Sequence, residues 1–168
     1  MKNLFYILFL LVIFSEAVKS EDKFTVKENK GLLIVEGLIS QHDWLDVSGW
    51  DSCKINNYCA DETQCKIISR KFEDKSYSLL IVAGSWCGDT KSELPKLFKI
   101  INVCKLDTNQ YDIIGVDTDK MIKVQYTDKF IINKVPSLIV LKDGTEIGRI
   151  EEYPELSWEE DIMIILGD

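Results

Sequence analysis

Leu79-Leu80-Ile81-Val82-Ala83-Gly84-Ser85-Trp86-Cys87-Gly88-Asp89-Thr90-Lys91 is the stretch on which the fold turns. Its first five residues are an unbroken apolar run, the composition of a strand buried on both faces. Gly84-Ser85-Trp86 interrupts the run. From about Cys87 onward, Leu94, Leu97, Phe98 and Ile101 recur at helical spacing, with Pro95 inside, where a kink is expected. A buried strand that turns directly into a helix sets Cys87 beside the unpaired N–H groups of the first turn. The positive end of the helix dipole favours thiolate over thiol, and the thiolate is the nucleophile of disulfide exchange. Asp89 opposes this, because a nearby carboxylate disfavours a second negative charge. Thr90, three residues after Cys87, can donate its hydroxyl to the sulfur.

Downstream, residues 111–117 predict a strand and residues 121–130 a short helix. Residues 137–141 and 146–150 predict two strands joined by Lys142-Asp143-Gly144-Thr145, and Asp-Gly between apolar runs is a strong hairpin signal. Ser157-Trp158-Glu159-Glu160 is a capping box opening a helix through Leu166. Upstream, Asp61 and Gln64 mark another helix start, with Cys65, Ile68 and Phe72 on one face. Residues 30–35 predict a short buried strand. Residues 37–60 have no clean period and predict irregular structure with room for a helical turn. The order implies an α/β fold: a central mixed sheet with helices on both faces.

The chain has 168 residues, 46% of them apolar and 29% charged, which suits one globular domain. Its formal charge is −8 with no basic cluster, so a nucleic-acid partner is not expected. Its single histidine, His42, excludes chemistry that needs two, and a solvated or capping role is expected of it. Glu151-Glu152 and Glu159-Glu160-Asp161 are expected to be solvated faces. The N-terminus has Lys2, then an apolar run from Leu4 to Phe14, the layout of a secretory signal peptide and too short for a comfortable membrane span. Cleavage is expected after Ala17 or Ser20, with Ser20 favoured by the polar Glu21-Asp22-Lys23 beyond it. A membrane is therefore expected to be met only through residues 1–20, before cleavage, and the mature chain to be secreted or periplasmic.

Ser85-Trp86-Cys87-Gly88-Asp89-Thr90-Lys91, Pro95, Lys134-Val135-Pro136-Ser137 and the segment Lys142–Ile150 occur in this order. In these segments the chain resembles the thioredoxin superfamily, specifically secreted bacterial thioredoxin-like proteins with a W-C-G-D-[S/T] motif. The resemblance covers about residues 61 to 168. It implies a thioredoxin-like domain over 61–168, preceded by an N-terminal extension over 21–60 that holds a strand and an irregular segment. It further implies that Pro136 is a cis-proline facing Cys87, that the Val135 backbone pairs with an extended substrate, and that Trp86 shapes the rim of the groove. In the family a second, resolving cysteine falls where Thr90 stands, and a buried acid falls where Ile81 stands. The dithiol cycle therefore cannot run within this motif.

Five cysteines are present. Cys104 lies 17 residues after Cys87, about 25 Å along one helix, whereas a disulfide needs Cα atoms within about 7 Å. Cys53, Cys59 and Cys65 are six residues apart, a spacing unlike that of metal-binding pairs, so neither a metal nor a cofactor is expected. Two readings stay open. Two or four of Cys53, Cys59, Cys65 and Cys104 form structural disulfides, leaving Cys87 free, or Cys53 or Cys59 is a resolving thiol for Cys87. Cys65, on an apolar helix face, can also be simply buried. The functional expectation is thiol–disulfide exchange through Cys87, by a mixed disulfide with client protein or peptide thiols and disulfides. The alternative is a non-catalytic peptide-binding module in which Cys87 is inert or redox-sensing.

Overall fold

A computed structural model describes residues 24–50, 57–122 and 129–167. The expected leader with its two cleavage points, Cys53, and most of the helix expected over 121–130 lie outside these residues. Six strands form one mixed sheet: β1 (Phe24–Asn29), β2 (Leu32–Ile39), β3 (Tyr77–Ala83), β4 (Tyr111–Gly115), β5 (Ser137–Lys142) and β6 (Thr145–Glu151). Their spatial order is β1-β2-β4-β3-β5-β6. Only β3 and β4 run parallel; every other neighbouring pair is antiparallel. The described helices are α1 (Gln41–Ser48), α2 (Glu62–Lys71), α3 (Gly88–Cys104) and α4 (Trp158–Leu166).

The central strand β3 is buried almost throughout, and its alternation divides the core. Leu79, Ile81 and Ala83 pack with residues from all four helices, among them Trp44, Ile68, Phe98 and Trp158. Leu80 and Val82 pack with Ile114, Val116, Ile132, Val135 and Ile139 on the opposite face. The described helices thus cover one face, and residues from the long β4–β5 connection cover the other. Pro95 sits inside α3, which runs on through it to Cys104.

The expected helix caps form. The Asp61 side chain accepts from the Thr63 and Gln64 amides, and Ser157 accepts from the Glu160 amide. The expected Asp-Gly hairpin also forms, with both central residues at positive φ (Asp143 50°, Gly144 71°), as the twist of a two-residue turn requires. Lys30-Gly31 makes a second turn of the same kind (φ 52° and 79°) between β1 and β2. The strand expected from residue 30 therefore begins at Leu32, because the preceding pair is the corner of a hairpin. The region expected to be irregular holds the end of β2 and the helix α1, which Ser40 caps and Trp44 anchors in the core.

Candidate functional site

The sheet register brings the separated segments of the site together. Val82 of β3 is paired with Ser137 of β5, so Val135-Pro136 emerges beside the chain as it leaves β3 toward Cys87. The Val135–Pro136 peptide bond is cis. Cys87 is the N-cap of α3, with an extended backbone, and is partly buried. Its sulfur lies 3.4 Å from the Val135 carbonyl oxygen and donates to it. Its own carbonyl accepts from the Lys91 amide, the first hydrogen bond of the helix.

Three side chains fix the loop. The Trp86 indole Nε1 donates to the Val116 carbonyl (3.0 Å) at the end of β4. The ring folds back over Gly84, where a Cβ would stand 2.8 Å from it, so only glycine fits there. The Ser85 hydroxyl donates to the Leu33 carbonyl (2.6 Å) and accepts from the Val35 amide (3.0 Å). β2 pairs with β4 only through Gly37–Ile39. Beyond that pairing, Ser85 serves the β2 backbone as a neighbouring strand would. The N-terminal hairpin is thereby tied directly to the Cys87 loop, and the segment expected as an extension shares the sheet with the rest. Sequence gives no signal for this, because a serine in a loop has many acceptable partners.

Thr90 is fully buried, and its hydroxyl accepts from the Gly84 amide (3.3 Å). The Cys87 sulfur donates to Val135, and the bond formed by the Thr90 hydroxyl is the one from Gly84 rather than the expected one to the sulfur. Thr90 positions the loop from behind. Asp89 accepts a short hydrogen bond from the Tyr153 hydroxyl. This contact pushes Tyr153 up to about 12, with desolvation and the nearby negative charges adding to the effect. Glu152, in the left-handed region, donates its amide to the Pro136 carbonyl (2.7 Å) and pairs with Lys134 (2.7 Å). Residues 152–153 therefore hold both the Pro136 segment and the motif; the sequence suggests only a solvated face for Glu152 and gives no signal for Tyr153.

The remaining candidates are spread out. Cys59 is exposed, whereas Cys87 packs at the edge of the core face opposite the helices. Asn57 and Tyr58, just before Cys59, line a surface cleft with Lys91, Ser92 and Pro95, one turn along α3 from Cys87. Ile81 is buried in the helix-side core. His42 is exposed beside Asp43 and Asp46. Arg149 is engaged with Glu146, Glu151 and the Ile131 carbonyl.

Glu159 corrects an expectation. The sequence predicts a solvated face for it, yet it is 1% exposed and accepts from the Tyr58 hydroxyl (2.7 Å) and the Asp61 amide (3.0 Å). Burial, with the Glu159 hydrogen bond adding, raises Tyr58 well above the usual tyrosine range. Glu93 is likewise buried, held by Lys96 and by the Trp158 indole (3.0 Å). Among the described residues no group of three His, Cys, Asp or Glu is placed to hold a metal ion, and no helix is long and apolar enough to cross a membrane.

No protein-family model matches the chain. Among solved structures, it is similar to a protein of unknown function from Pseudomonas aeruginosa, at 15% identity and a TM-score of 0.38 over 77% of this chain and 96% of that one. It is also similar to an HIV epitope-scaffold, at 19% identity and a TM-score of 0.34 over 77% of this chain and 88% of that one. At these scores the likeness carries no argument about family or chemistry, and the site has to be judged on its own residues.

Proposed function

We propose that this chain is a secreted or periplasmic, thioredoxin-like protein that performs thiol–disulfide exchange through a single motif cysteine. The observation that carries this reading is the position of the Cys87 sulfur, at the N-cap of a 17-residue helix and 3.4 Å from the carbonyl that precedes Pro136. A helix N-terminus stabilises the thiolate, and once the thiol proton is gone the Val135-Pro136 backbone can align an extended chain against it. The Cys87 thiolate attacks one sulfur of a client disulfide. A Cys87–client disulfide forms, and the client's other sulfur leaves as a thiolate and takes up a proton. A client thiol, a small thiol, Cys53 or Cys59 then attacks the mixed disulfide and regenerates Cys87. The segment carrying Cys59 runs beside Lys91 and Ser92, which favours it as the internal source of a resolving thiol. Neither a metal nor a cofactor enters this cycle.

The test is replacement of Cys87 by Ala, followed by insulin reduction and by refolding of a scrambled disulfide protein. Loss of both activities is expected; undiminished activity overturns the proposal.

A second reading is favoured by Thr90 and Ile81 themselves: the first is a hydroxyl that accepts from Gly84 and the second a buried hydrocarbon, so the motif has neither an internal resolving thiol nor a proton acceptor. In that reading the groove between Trp86 and Pro136 binds an extended peptide without chemistry. A Cys87 that alkylates at neutral pH no faster than a free cysteine supports the binding module, and faster alkylation supports exchange.

A further inference from the structure

Two thiols far from the Cys87 loop meet inside the protein. Cys65 lies in the first turns of α2 and Cys104 is the last residue of α3. Each is 1% exposed, and both belong to the helix-side core with Ile68, Phe72, Leu97 and Ile101. α2 packs against α3, and both thiols lie in the core between these helices, near enough for each to perturb the other. The neighbouring Cys65 thiol, together with burial, holds Cys104 far above the ordinary thiol range. The charged groups acting on the pair are the buried Glu159 carboxylate, already committed to Tyr58 and Asp61, and, on Cys65 alone, Asp61 and Glu62 at the start of α2. Cys59 is on the surface and Cys87 packs with the opposite face, so among the described residues each of these two thiols has the other as its cysteine neighbour.

We infer that Cys65 and Cys104 form the structural disulfide of this protein, a cross-link between α2 and α3 made during folding by exchange with a disulfide oxidant. The chemistry balances in two displacements. The Cys65 thiolate attacks one sulfur of an oxidant R–S–S–R, giving Cys65–S–S–R and a thiolate that is protonated to R–SH. The Cys104 thiolate then attacks the Cys65 sulfur, closing Cys65–S–S–Cys104 and releasing the second R–SH. Two electrons and the two thiol protons pass to the oxidant, whose own disulfide bond breaks. Burial sets the timing. Neither sulfur is reachable once α2 and α3 are packed, so the exchange takes place while that contact is open, and packing then shields the bond from thiols in solution.

The inference is independent of the role proposed for Cys87, and one experiment separates the two. Reduced, unfolded protein is refolded in a buffer of glutathione and glutathione disulfide. It is then alkylated in denaturant without reductant, digested and mapped by mass spectrometry, alongside a Cys87→Ser protein. The expected result is a linked peptide pair joining Cys65 to Cys104 in most molecules of both proteins. Alkylation of both residues after oxidative refolding overturns the inference, as does linkage of either one to Cys53 or Cys59. The mapping reads the full chain directly, so it does not depend on a cysteine variant remaining folded.

Discussion

The two faces of the sheet use cysteine in opposite ways. On the helix-covered face, Cys65 and Cys104 are sealed among large apolar side chains, and each finds its partner in the other. On the opposite face, Cys87 sits at a helix N-cap, partly open, and its sulfur is given only a backbone carbonyl. The residue type is the same, and the difference lies in what surrounds it. A thiol matched to another thiol in a dry core is fixed by packing, whereas one matched to a carbonyl at a solvent margin can exchange its partner. The buried carboxylates follow the same division. Glu93 and Glu159 lie on the helix side, each with specific donors, and both hold secondary structure together.

The largest expected effect separates the two kinds of cysteine. Cys87→Ala abolishes disulfide exchange, while Cys65→Ala retains it and lowers the denaturation midpoint instead; an insulin-reduction assay paired with urea unfolding checks both. Exchange carried by the Cys87→Ala protein would dissolve the contrast between the faces. Next comes the helix-side core itself. Trp158→Ala removes a fully buried ring and a donor to Glu93, and is expected to cost about 3–5 kcal/mol in urea unfolding. Smaller still is the tie between the Cys87 loop and the N-terminal hairpin. Ser85→Ala leaves the buried Val35 amide without its acceptor, at about 1–3 kcal/mol. Hydrogen exchange should show faster opening at Val35 than at the central β3 residues.

The smallest effect concerns Tyr153, which is 51% exposed. Its hydrogen bond to Asp89 pushes it up to about 12, against an unfolded value of about 10. An acid whose folded value is raised is stabilising while it stays protonated. The contribution is therefore fully present below about pH 10 and is lost as pH rises through about 12. In a tyrosinate absorbance titration, Tyr153→Phe should remove one group titrating near pH 12, with exchange activity retained at neutral pH.

What could be read from the chain was local. The Asp61 and Ser157 caps, the Asp143-Gly144 corner, the apolar run of β3 and the position of Cys87 at a helix start all depend on residues a few places apart. Elements with little apolar contrast were missed. β1 is a largely exposed edge strand of mixed polarity, and α1 buries one residue, Trp44, so neither shows a strong period. Lys30-Gly31 turns the chain as Asp143-Gly144 does, but lysine is an uncommon choice for the first position, so the sequence reads the pair as part of the strand. The site was legible as a list of residues and illegible as a set of contacts. The bonds from Ser85 to β2, from Tyr153 to Asp89 and from Tyr58 to Glu159 join positions tens of residues apart. Thr90 accepts at its hydroxyl from the Gly84 amide, a partner that only the folded loop brings within reach.

The bond between the Cys87 sulfur and the Val135 carbonyl bears on the order of events in the proposed exchange. A resting thiol occupies the acceptor that an extended client would use for its own amide, so the client and the thiol compete for one oxygen. The attacking form is the thiolate, which has no proton left to donate, so the carbonyl falls vacant as the nucleophile forms and stays vacant while the sulfur is joined to the client. One proton therefore governs both events: its loss arms the sulfur and frees the docking position, and its return after the client leaves closes that position again.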